Sequence, residues 1–150
     1  ESIEATHKNR IIECMQKYSK PIFFSAIEYG ELISFGAKRT SFETVLLVCG
    51  IAQPETLIIE LRKKYKVEVL LFADHHNFDY SDIKQIHQKF DTFALENTSI
   101  ITSEKDYVRL QTKLTADELE NDPWYYLPIE LKIENEDEFN FLIKKYVTAI

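Results

Sequence analysis

The feature that most constrains this chain is an alternation that sets in at Val45. Val45–Cys49 is an unbroken apolar run closed by Gly50. Such a run fits a strand covered on both faces, as in a parallel sheet, rather than a strand with one wet face. The stretch after it has helical period. Leu57, Ile58, Leu61 and Tyr65 recur at the spacing of one helix face, and Pro54 suits that helix's first turn. Val67–Ala73 repeats the strand pattern. Ser81 is then placed to cap a helix whose buried face carries Ile83, Ile86 and Phe90. Ser99–Thr102 reads as a third short strand, and Glu104-Lys105-Asp106 opens a helix with Val108 and Leu110 behind it. Strand, helix, strand, helix in this order predicts an α/β fold, a three-layer, open, mostly parallel sheet flanked by helices. Ligands of such sheets lie at the carboxyl ends of the strands.

The flanks carry weaker patterns. Residues 3–19 read as a helix with Ile11, Ile12, Met15 and Tyr18 on one face, ended by Pro21. Ile22–Ile27, Gly30 and Leu32–Phe35 predict two short strands around a turn, and Gly36 to Thr40 is a basic loop. Thr115-Ala116-Asp117-Glu118 is a capping-box pattern for a short helix. Trp124–Ile133 reads as a last strand, interrupted by Pro128 and therefore at a sheet edge. Asp137 starts a final helix whose buried side carries Phe139, Leu142, Ile143, Tyr146 and Val147.

Composition removes several function classes. A chain of 150 residues is about one domain, and 45% hydrophobic with 29% charged residues is ordinary globular composition. A net charge of −7 argues against a nucleic-acid footprint, which is basic. No apolar run approaches the roughly 20 residues of a membrane helix. Cys14 and Cys49 fall in no CxxC or zinc spacing and read as reduced, buried thiols of a cytosolic protein. No signal peptide is visible, but the chain starts at Glu1 rather than Met, which reads as a boundary or a cleavage point with part of a parent protein missing. The three glycines, Gly30, Gly36 and Gly50, form neither GxxxxGK[ST] nor GxGxxG, so no glycine-rich nucleotide cradle can be built here.

Three loops leave the predicted strand ends. Asp74-His75-His76-Asn77-Phe78 either offers a carboxylate and an imidazole for proton handling, or is a polar turn with solvated histidines; position alone favours neither. A two-metal DHH phosphoesterase needs further carboxylates upstream. Residues 1–73 contain no aspartate and only His7 as an imidazole, so that chemistry is discounted. In Thr102-Ser103-Glu104-Lys105-Asp106 the hydroxyls suit an N-cap and the acids suit the positive helix end, which outweighs the alternative of Lys105 beside a phosphate. Gly50-Ile51-Ala52-Gln53-Pro54 is a tight turn in which Gly50 serves a positive φ or a close approach. Arg62, Lys63, Lys64 and Lys66 read as a solvated helix end, and His87 and Trp124 as core-edge residues.

Taken in order, these segments resemble one family. Gly50-Ile51-Ala52 with Pro54, then Phe72-Ala73-Asp74-His75-His76-Asn77-Phe78, then Ile101-Thr102-Ser103-Glu104-Lys105-Asp106-Tyr107-Val108 are similar to the C-terminal domain of the tetraacyldisaccharide 4′-kinases. Their pattern is a G-I-A/G-x-P turn, an F-x-D-H-x-x-F/Y loop and a T-T-E-K-D-x-V-K segment. Lys20-Pro21-Ile22-Phe23-Phe24 also resembles the segment preceding it, so the likeness covers essentially the whole chain. Ser103 stands for the usual second threonine and Arg109 for the usual lysine.

The resemblance implies that 1–150 is the C-terminal α/β domain of a larger kinase, with residues 22–35 as a candidate interdomain β linker. It implies transfer of the γ-phosphoryl group of ATP to the 4′-hydroxyl of a tetraacylated glucosamine disaccharide 1-phosphate, in lipid A biosynthesis at the cytoplasmic face of the inner membrane. ATP and Mg2+ are then held mainly by an N-terminal P-loop domain absent from this chain, which would be inactive alone. The family's catalytic pair joins an N-terminal aspartate to the histidine that maps onto His75. Asp74 is expected to orient that loop. His76, Ser103, Glu104, Lys105, Asp106 and Gly50 are candidates for substrate, phosphate or interface contacts, and no metal ligand is expected among these residues. The rival reading is a stand-alone α/β ligand-binding or interaction module without catalysis.

Overall fold

A computed structural model describes residues 4–93 and 97–148. In chain order its elements are α1 (Ala5–Met15), β1 (Ser25–Tyr29), β2 (Ile33–Ser34), β3 (Thr44–Cys49), α2 (Glu55–Arg62), β4 (Lys66–Leu71), α3 (Tyr80–Phe90), β5 (Thr98–Ser103), α4 (Glu104–Leu110), α5 (Ala116–Asn121), β6 (Trp124–Leu127), β7 (Ile129–Ile133) and α6 (Glu136–Thr148). They form two compact units: Tyr29–Pro128, and the described residues up to 28 together with those from 129 onward.

The larger unit is the α/β sheet that the alternation predicts. Its strand order is β2-β6-β5-β3-β4. β3 pairs in parallel with both β4 and β5, β5 pairs in parallel with β6, and only β2 runs antiparallel, against β6. The period of two along each central strand sends side chains to opposite faces. Leu46 and Val48 of β3, with Ile100 and Trp124, pack under Ile83, Ile86 and Phe90 of α3 and Leu110 of α4. Val45, Leu47 and Cys49, with Ile101, Tyr125 and Leu127, pack under Leu57 and Leu61 of α2. The sheet is therefore the middle of three layers.

Several expectations need correction. The apolar run of β4 predicts a strand covered on both faces, but β4 ends the sheet, and Val69 and Leu71 are exposed. The cap of α3 is Asp79, not Ser81. Its carboxylate accepts from the backbone of Ser81 and Asp82, and Asp82 reciprocates in a capping box. Val108 faces solvent, whereas Leu110 is buried. Trp124–Ile133 is two strands divided at Pro128: β6 lies inside the main sheet, covered at its edge by β2, while β7 pairs with β1 in a separate two-stranded sheet. The two strands expected to form one turn-linked pair, β1 and β2, thus belong to different sheets. The capping box at Thr115 forms as expected.

The smaller unit contains α1, β1 up to Glu28, β7 and α6. α1 and a 3-10 turn at Gln16–Tyr18 occupy most of 3–19, of which residue 3 lies outside the described residues. Ser19, in a left-handed conformation ahead of Pro21, ends this stretch. α6 begins at Glu136 rather than Asp137. Local ties are few: Lys8 pairs with Glu134 and lies over the Phe24 ring, and Phe23 meets Phe139 edge-on at 5.3 Å. The face expected to be buried on α6 is not: Phe139 and Leu142 are half-buried, and Ile143, Tyr146 and Val147 are exposed. Cys14 on α1 is exposed, which corrects the reading of two buried thiols. Cys49 is buried, and burial pushes its thiol up to about 11, partly offset by a hydrogen bond from the Ile51 backbone.

Candidate functional site

The order of the strands creates the crevice. β3 and β5 are neighbours, yet the helices that follow them, α2 and α4, pack on opposite faces of the sheet. Their connecting loops diverge, which leaves a gap at the carboxyl ends of the two strands. Three of the sequence's loops surround it: the Gly50 turn after β3, the Asp74–Phe78 loop after β4 and the Ser103 turn after β5.

Asp106 ties the gap together. Its side chain is fully buried. One carboxylate oxygen accepts from the Gly50 backbone N–H at 2.8 Å and from the Ser103 hydroxyl at 2.8 Å. The other lies 3.5 Å from an Arg109 guanidinium nitrogen. A buried carboxylate is costly unless its lone pairs are met by donors, preferably charged ones, and these three groups supply them. Ser103 also caps α4 by accepting from the Asp106 N–H at 3.1 Å. The capping role read from the sequence is real, but Asp106 does more than complement the helix end.

Close approach, not a positive φ, is what favours glycine at Gly50. A Cβ there would stand 3.1 Å from the Ala73 carbonyl oxygen and 3.3 Å from the His76 Cβ. The glycine's carbonyl in turn accepts the His75 N–H at 3.2 Å, so the bare backbone at Gly50 seats the histidine loop.

His75 sits on that seat with φ of 59°, the left-handed region that non-glycine residues seldom occupy. Its N–H is also accepted by its neighbour, Asp74 Oδ1, at 2.9 Å. The Asp74 carboxylate thus accepts the backbone N–H of the residue that follows it. The His75 ring is open, with 69% of the side chain exposed. Its Nε2 is 3.6 Å from Asp74 Oδ2, and its Nδ1 is 3.4 Å from Arg109 Nη2. Lys105 Nζ lies 3.5 Å from Asp74 Oδ1, so the lysine meets a carboxylate of the loop. Glu104 is exposed on the first turn of α4.

His76 differs sharply from its neighbour. Its ring stacks on Phe72 at 4.9 Å, meets Phe78 edge-on at 5.1 Å, and places Nε2 2.8 Å from Asp82 Oδ2. Asp82 is already the reciprocating member of the α3 capping box. His76 thus anchors the loop to the helix behind it, while His75 points outward.

The residue that sequence reasoning passed over is Arg109. One guanidinium nitrogen reaches Asp106 and, at 3.5 Å, the His76 carbonyl, and the other reaches the His75 ring. The one signal for it in the sequence is that Arg109 keeps the positive charge of the lysine usual at that place in the resembled motif; its contacts with Asp106 and His75 have no local signature. Among the described residues no group of three histidines, cysteines or acids is placed to hold a metal ion, and no helix is long and apolar enough to cross a membrane. The polar side chains gathered around the gap are Asp74, His75, Lys105, Asp106 and Arg109. What they can do is present one oriented imidazole, backed by a buried carboxylate–guanidinium pair, to something lying over the strand ends.

Fold and site together define an open α/β domain with a polar crevice at its topological switch point. The chain matches the tetraacyldisaccharide-1-P 4′-kinase family over residues 3–148. Curated relatives include the tetraacyldisaccharide 4′-kinase of Flavobacterium psychrophilum, 35% identical over 95% of this chain and 41% of that protein. Those of Bacteroides thetaiotaomicron and Bacteroides fragilis are 41% and 36% identical, each over 84% of this chain and 38% and 37% of their own lengths. No solved structure matches the chain. This chain belongs to the tetraacyldisaccharide-1-P 4′-kinase family. It spans about two fifths of the length of the curated relatives it matches.

Proposed function

We propose that the chain is the C-terminal part of an ATP-dependent kinase that phosphorylates the 4′-hydroxyl of a tetraacyl glucosamine disaccharide 1-phosphate, and that His75 is its contribution to the chemistry. The observation that carries this reading is the contrast within the histidine pair. His76 is locked into packing, whereas His75 is held by its backbone and left with an open ring at the strand ends. In the proposed reaction the O4′–phosphorus bond forms as the bond from the γ-phosphorus to its bridging oxygen breaks, and the hydroxyl proton passes to a carboxylate. Such transfer depends mainly on positioning and charge neutralisation. ATP and Mg2+ are assigned to an N-terminal P-loop domain outside this chain, with which His75 completes the site on closure. This chain would then transfer nothing alone. The working location is the cytoplasmic face of the inner membrane, with the lipid disaccharide reached through the parent enzyme.

The test is His75→Ala in the complete enzyme. Turnover is expected to fall by about 100-fold or more, the scale of a general acid–base contribution. A fall of less than about threefold would remove His75 from the chemistry. His76→Ala should act instead through stability, because its ring is packed.

A further inference from the structure

We propose that Arg109 is a positioning residue that fixes the tautomer of His75, so that the neutral ring offers Nε2–H as a hydrogen-bond donor. This rests on the reading of His75 given above and says which role the ring can play in it.

The two ring nitrogens face opposite chemistry. Nδ1 is 3.4 Å from Arg109 Nη2, and Nε2 is 3.6 Å from Asp74 Oδ2. A guanidinium is donor-only, so Nδ1 meets it with its lone pair. Asp74 Oδ2, at 3.6 Å, is beyond hydrogen-bond reach, but a carboxylate is acceptor-only when ionised, so its charge favours a proton on the facing Nε2 and leaves that proton free to be donated elsewhere. Both neighbours call for the Nε2–H form. The other neutral tautomer would set a ring N–H against the guanidinium and a lone pair against the carboxylate, a mismatch at both ends. A hydrogen bond at one imidazole nitrogen decides what the other presents.

Arg109 is itself anchored. Its other guanidinium nitrogen lies 3.5 Å from Asp106 Oδ1 and 3.5 Å from the His76 carbonyl. Asp106 is fully buried and bonded to Gly50 and Ser103. The orientation of the exposed ring is thus set from a rigid point beneath the crevice. A ring so fixed acts as a donor that orients a carboxylate base. It does not take the sugar proton itself, because its remaining lone pair is already engaged.

The test is a long-range 1H–15N correlation spectrum of this chain, labelled with 15N-histidine, at a pH where the ring is neutral; His75→Gln identifies the signal. The wild-type ring should show a non-protonated Nδ1 and a protonated Nε2. In Arg109→Met both 15N shifts should move toward each other as the tautomers mix, and Arg109→Lys should restore part of the difference. A wild-type ring protonated at Nδ1, or shifts unchanged in Arg109→Met, would overturn the proposal. Should Arg109→Met fail to fold, Arg109→Gln, which keeps a donor for Asp106, is read in its place. In the complete kinase Arg109→Met should lower kcat about tenfold, the scale of a lost orienting partner, with KM for ATP unchanged. If the spectra behave as expected while kcat stays within about twofold, the tautomer assignment stands and the catalytic reading of His75 fails instead.

Discussion

The two units share the same kind of sequence pattern and meet opposite fates. α3 in the larger unit and α6 in the smaller each carry an apolar stripe at helical spacing. On α3 the stripe, Ile83, Ile86 and Phe90, is buried against the sheet. On α6 none of the residues is buried, and Tyr146 and Val147 are 75% and 63% exposed. α1 behaves like α6: its Ile11, Ile12 and Met15, and Tyr18 in the 3-10 turn that follows, are all exposed. Every buried core residue among those described lies between residues 29 and 128. A periodic stripe shows that a helix has a face to cover; it does not show that the same unit supplies the cover. The larger unit has a sheet between two helical layers. The smaller has two strands and two helices, too few to enclose an interior, since the fraction of surface a unit buries falls with its size.

The largest expected effect follows from that difference. Ile100→Ala or Leu46→Ala removes fully buried side chains from the core of the sheet, and should destabilise the chain by about 2–5 kcal/mol. Val147→Ala and Ile143→Ala, on the exposed face of α6, should stay within about 0.5 kcal/mol. Urea titration followed by circular dichroism measures both. Similar losses at the two places would mean that the α6 face is covered in solution and would break the contrast.

The same contrast marks what was legible in the sequence. The three-layer sheet could be read because β3 and its helices carry their information locally: an unbroken apolar run, a stripe, a cap. The site loops could be placed for the same reason, since a parallel sheet fixes where its loops emerge. Pairing partners could not be read. β1 and β2 are close in sequence, yet their partners, β7 and β6, lie on opposite sides of Pro128, and no local pattern encodes a partner about 90 residues or more away. The exposure of β4 was missed because an apolar run looks alike in a central strand and at a sheet end. Asp79 was missed as a cap because Ser81, two residues later, fits the same local preference; the hydroxyl instead donates to the Asp79 carboxylate. At the site, the residues came singly from their motifs. Their joining through Asp106 and Arg109 was invisible because Gly50 and Asp106 meet across the gap between two strands.

Caps sharpen the comparison at a smaller scale. α3 is closed at its start by Asp79, and hydrogen bonds from Ser81 and Asp82 hold the Asp79 carboxyl below its ordinary range. α1 starts at Glu4 with no side-chain cap bond. Asp79→Ala should therefore lower the melting temperature, and Glu4→Ala should leave it nearly unchanged. Equal effects in thermal melts would mean that the ends of α1 and α3 are held alike.

The smallest expected effect is a pH dependence that belongs to the larger unit. His87 on α3 lies between acids: Nε2 is 3.0 Å from Asp122 Oδ2, off the ring N–H axis, and Nδ1 is 3.6 Å from Glu118 Oε1, with Asp91 nearby. Asp122 first, then Glu118 and Asp91, raise its pKa above the ordinary 6.5, against the opposing pull of partial burial. Folding therefore favours the protonated ring. The stabilisation is fully present below the unfolded value of 6.5 and is lost as pH rises through the folded value. Stability measured from pH 6 to 9 should carry a downward component that begins near 6.5. His87→Gln should remove that component while leaving the cap and core differences in place. A slope that survives in His87→Gln would assign the pH dependence to another group, and the acid-lined position of His87 would then be a matter of packing alone.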